Sequence, residues 1–124
     1  MNSLFKNIQI NQLSGRLRQI AGTPNVLSMQ FSAVDVAGIR ESIITIANEC
    51  KADDPQIARQ LLAAKDILFA VNQFGQAFIN PYAIGEILFG LDYLAAKGQA
   101  PSAEKQTTAE IWSYIHLSLI HISE

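Results

Sequence analysis

NPYAIGEILFGLDYLAAK, residues 80–97, decides the fold. Asn80 is a good helix N-cap, and Pro81 suits the first helical position, where an amide would have no intrahelical partner. Lys97 falls in the last turn and Gly98 just beyond it, both favourable at a helix C-terminus. Between these ends Glu86 and Asp92 are the only charges. Ile84, Ile87, Leu88, Phe89, Leu91, Tyr93 and Leu94 cover most of the circumference. A helix apolar nearly all round is a central one. Gly85 and Gly90 lower its helix propensity by about 1 kcal/mol each relative to alanine. Their expected use is close approach of a neighbouring backbone.

Working outward, Asp54-Pro55 repeats the cap-plus-proline pattern. Ile57, Leu61, Ala64, Leu68 and Val71 follow as one apolar stripe, and Gln56, Arg59, Gln60 and Lys65 as a solvated face. Past Asp66 the polar face fades, so this helix is expected to enter the core as it proceeds. Asn72 to Asn80 is a break around Gly75. Further upstream, Ser32-x-x-Asp35 is a capping-box pattern. Val36, Ile39, Ile43, Ile46, Ala47 and Cys50 behind it form the stripe of an amphipathic helix. Leu13, Leu17 and Ile20 recur at helical spacing in a first helix that begins either near Ser3 or near Asn11. Between the first two helices Leu27, Met29 and Phe31 alternate with polar residues. Period two there predicts either a short extended segment near 26–31 with one inward face or a loop that tucks these three side chains inward. Toward the C-terminus, Thr107-x-x-Glu110 is another capping box, and Ile111, Trp112 and Ile115 begin a last apolar face. The expectation is an all-α fold, a single-domain bundle of four to five helices over residues 1–116.

Residues 117–124, Leu-Ser-Leu-Ile-His-Ile-Ser-Glu, resemble the translation of a transposase adapter used in sequencing libraries. The resemblance covers those eight residues alone and identifies no family for residues 1–116. It implies a non-native tail, a natural chain cut near His116, and no ligand role for His121.

Composition bounds the function. The chain has 124 residues, 49% hydrophobic and 16% charged, which suits one ordered domain. Nine basic against eleven acidic residues leave a net charge of −2, ill suited to neutralising many phosphates, so no nucleic acid is expected as a partner. One cysteine excludes an internal disulfide and a multi-thiolate metal site. No secretory signal is visible in residues 1–22, and a cytoplasmic protein is expected. Residues 67–85 carry no charge, but Asn72, Gln73, Gln76, Asn80 and Pro81 interrupt them, so they read as two helix ends around a turn, not a membrane span.

Reactive chemistry is sparse. Gly85-x-x-x-x-Gly90 has the first spacing of a phosphate loop, but Leu91-Asp92 stand where Lys-Ser/Thr are needed. Asp53-Asp54 is explained by capping, so neither a metal site nor a cofactor is expected. Cys50 lies on an apolar stripe and reads as core. Arg16, Arg18, Arg40 and Arg59 follow no anion-binding motif. Glu86 is the strongest catalytic candidate: desolvated in the first turns of a buried helix, it would act as a general acid or base. The uncharged connection offers Phe74, Phe78, Asn80 and Tyr82 as binding candidates. Two functions follow. The first is a non-catalytic protein-interaction or oligomerisation module, the N-terminal part of a longer protein, with a protein partner or self-association. The alternative is a small enzyme or enzyme fragment using Glu86 in a pocket near the Gly75 turn, with no small-molecule ligand identifiable.

Overall fold

A computed structural model of the chain describes residues 3–98, with side chains from Lys6 onward. It is mainly helical: α1 (Ser3–Ala21), α2 (Ala33–Cys50), α3 (Pro55–Leu68) and α4 (Pro81–Lys97), with a two-stranded antiparallel sheet, β1 (Phe69–Val71) and β2 (Ala77–Ile79), between α3 and α4. Each helix packs against the next, and α4 returns to α1, which is an up-down-up-down bundle. No helix among the described residues is long and apolar enough to cross a membrane.

The starts of the helices follow their sequences. α1 begins at Ser3, the earlier of its two expected starts. Ser32 caps α2 by accepting from the Asp35 amide at 3.1 Å. The Asp35 carboxylate turns away to Arg16, 3.4 Å distant. All six residues of the α2 stripe are buried. Asn80 caps α4 by accepting from the Tyr82 amide at 3.0 Å, while its Nδ2 donates to the Ile67 carbonyl at 3.3 Å.

α4 is the core element. Ala83, Ile84, Ile87, Gly90, Leu91 and Leu94 are all buried along it. Gly90 faces Leu61 of α3 so closely that an added Cβ would lie 2.9 Å from Leu61 Cδ2. Close approach was the expected use of this glycine. What approaches, however, is a buried side chain and not a backbone.

Three expectations need correction. The α3 stripe is in the core at Leu61, Ala64 and Leu68 but does not continue to Val71. The helix stops at Leu68, and the chain turns into β1, leaving Ile67 and Val71 exposed. The break around Gly75 is a β-hairpin loop, with Gly75 at φ +79, where a side chain would be strained. Residues 26–31 are extended only in their second half. Asn25 adopts a left-handed conformation and starts a 3-10 turn over Val26–Ser28, which swings Leu27 into solvent. The chain is extended again at Met29, and Phe31 makes a single bridge to Ala77. The capping box at Thr107, Trp112, His116 and the adapter-like tail lie outside the described residues.

Candidate functional site

The two ends of the bundle differ in kind. At the base, the α2–α3 connection holds Lys51, Asp53 and Asp54, and α4 delivers Lys97. Lys97 Nζ donates to Asp54 Oδ1 at 2.6 Å. That hydrogen bond pushes the Lys97 amine above its usual range. A groove of about 430 Å3 opens beside it, between Lys6, Asn7, Asp54 and Leu94. Asp54, expected to cap α3 with its side chain, makes no capping hydrogen bond and is engaged by Lys97 instead.

The opposite end, the apex, is built from two connections. One is the hairpin with its flanks, residues 67–85. The other is residues 19–34, between Arg18 and Asp35. Neither contains Asp, Glu, Lys or Arg. The structure joins them: the Phe31 amide donates to the Ala77 carbonyl at 2.9 Å, and the Phe31 and Phe69 rings meet edge-on at 5.3 Å. Arg40 lies over the Phe69 ring from below, 5.8 Å from its centroid.

Amides organise this uncharged surface from within. Asn72 Oδ1 accepts from the amides of Phe74 and Gln76 at 2.9 and 3.0 Å, and its Nδ2 donates to Gln76 Oε1 at 2.8 Å. The loop is therefore held by its own side chains and not by packing. Its aromatic tip, Phe74, is left 77% exposed. Seven large apolar side chains are exposed among the described residues, and six of them lie in these two connections: Leu27, Val34, Ile67, Val71, Phe74 and Tyr82. Their exposures run from 49% at Tyr82 to 80% at Val34. Scattered apolar side chains are ordinary on a protein surface; a cluster on a charge-free end is not.

The sequence candidates divide accordingly. Phe74 and Tyr82 stand out at the apex, Phe78 is half-buried in β2, and Asn80 is occupied as a helix cap. Glu86 is half-buried on the α3–α4 face, where Gln60 Nε2 donates to its Oε2 at 3.3 Å and to its backbone carbonyl at 3.2 Å. One turn earlier, Tyr82 hydrogen-bonds the same carboxylate, which pushes its phenol above the usual range. Glu86, Gln60 and Tyr82 thus form one polar cluster on the bundle's side. Cys50 is fully buried and its Sγ faces the Ala47 carbonyl at 3.6 Å; burial pushes this thiol up, away from nucleophilic use. Arg16 is held by Asp35, Arg18 by Asp92 at 2.6 Å, and Arg40 by Phe69, so the arginines are distributed among separate partners. No group of three or more His, Cys, Asp or Glu side chains that could hold a metal occurs among the described residues. A further groove, about 480 Å3, runs between α1 and α2 with Leu13 and Ile46 on its floor and Gln12 and Glu41 at its rim.

Sequence reasoning missed Leu27, Val34, Ile67 and Val71. The available clue was the second uncharged run, residues 19–34, which matters only once Phe31 and Ala77 are known to pair. Set against known proteins, the chain matches no family model, no curated protein and no solved structure.

Proposed function

We propose that the protein is a non-catalytic interaction module whose contact surface is the apex. The observation that carries this reading is that exposed Leu27, Val34, Ile67, Val71, Phe74 and Tyr82 all lie in two joined connections that contain no Asp, Glu, Lys or Arg. Contact surfaces of proteins are depleted in charge at their centre and enriched in aromatic side chains. The hydrogen-bonded frame of Asn72 presents Phe74 in a fixed position, which reduces the ordering cost of binding. The partner on this reading is a protein and the compartment the cytoplasm.

Site-specific photo-crosslinking in the producing cell tests this. A photoreactive phenylalanine analogue at position 74 is expected to give discrete adducts, each identified by mass spectrometry as this chain or another protein. The same analogue at position 51, on the charged base, is expected to give none. No adduct from position 74, or the same adducts from both ends, overturns the reading.

A further inference from the structure

Resting on that reading of the apex, we infer that one partner is a second copy of this chain, paired through the outer edge of β1. β1 has β2 on one side and no strand on the other among the described residues. The register fixes what that edge offers. The Asn72 amide bonds the Gln76 carbonyl and the Asn80 amide bonds the Leu68 carbonyl, so by antiparallel alternation Ala70 is the residue paired inward to Phe78. The outward backbone groups flank it: the Val71 N–H and the Phe69 carbonyl. A two-fold axis through Ala70 sets the Val71 N–H of each copy against the Phe69 carbonyl of the other. The edge is therefore complementary to itself in its hydrogen-bonding groups.

Charge favours the same occupant. A two-fold axis brings every charge near it close to its own copy. Residues 67–85 contain no charge to repel. The nearest charges before them, Lys65 and Asp66, already pair with each other at 3.2 Å and offer both signs. Exposed edge strands are ordinarily protected by shortness, a lysine, a proline or a bulge, and β1, three residues long, has only the first. β1 has no lysine or proline, and exposed Ile67 and Val71 border it. Pairing two copies continues the strand order Phe31–β2–β1 across the axis and covers these apolar side chains.

The test is sedimentation equilibrium of the full chain with backbone amide exchange as a function of concentration. A reversible monomer–dimer equilibrium is expected. The Val71 amide should slow at least tenfold as dimer forms, and the Ala70 amide, already bonded within the hairpin, should not change. Val71→Lys is expected to weaken the dimer at least tenfold, and Ile8→Lys, exposed on α1 away from the apex, to leave it within twofold. Circular dichroism of both variants checks the fold. A chain that stays monomeric to millimolar concentration, or a dimer indifferent to Val71→Lys with a fast Val71 amide, overturns the inference. A monomer whose position 74 still crosslinks to a different protein refutes self-pairing and leaves the interaction reading standing; a monomer without crosslinks ends both.

Discussion

The base and the apex close the same bundle by opposite chemistry. At the base, a charged connection is tied to α4 by the Asp54–Lys97 ion pair at 2.6 Å, with Asp54 nearly buried. At the apex, side-chain amides satisfy loose backbone groups and apolar side chains are left in water. Water solvates a charged end well, so the base is complete by itself. An apolar end is solvated poorly, which is the physical basis for the contact surface proposed there. On the proposed reading, stability and function are therefore separable along the bundle axis.

The largest effect that would sharpen this division is in the bundle's interior. Leu61→Ala removes a fully buried side chain packed onto Gly90 and should cost about 2–5 kcal/mol, read by urea denaturation. A loss well below that range would mean the bundle is not the seat of stability.

The next effect is at the base. Asp54→Asn should lower stability by about 0.5–1 kcal/mol, a small figure because the Lys97 side chain is 38% exposed and water screens the pair. Its pH dependence has a definite sign. Lys97 has a folded-state pKa above its ordinary 10.5, so the pair's contribution is complete below that ordinary value and is lost as pH rises through the folded one. The difference in urea midpoint between the natural chain and Asp54→Asn should be constant from pH 7 to 9 and shrink above roughly pH 10.5.

The smallest effect is at the apex. Phe74→Ser should change stability by no more than about 0.5 kcal/mol, since the ring touches mainly solvent. Thermal unfolding measured beside Leu61→Ala checks it. A loss at Phe74 rivalling that at Leu61 would erase the distinction between the two regions.

How much of this was legible depended on the length of each pattern. The α2 stripe spans about four turns, and every one of its six expected residues is buried. The caps at Ser32 and Asn80 are local chemistry, and they form as their sequences predict. The hairpin was illegible for a physical reason. Each strand is three residues long, too short to display a period, and Phe69-Ala70-Val71 is apolar enough to continue the helix before it. At residues 26–31 the alternation misled, because the left-handed Asn25 replaced an extended path with a 3-10 turn. Phe74 and Tyr82 were legible as exposed candidates in an uncharged stretch. The surface they belong to was not, because it is completed by Leu27 and Val34 from the other half of the chain.

The bridge from Phe31 to Ala77 has a bearing on assembly. It joins the linker of the first helix pair to the hairpin of the second, so it closes only when the two pairs have docked. A chain with all four helices wound but apart holds the two uncharged runs as unrelated loops. On the proposed reading, a partner at this end thus reads completed tertiary structure, and a partial loosening that spares most of the helical content would already abolish recognition.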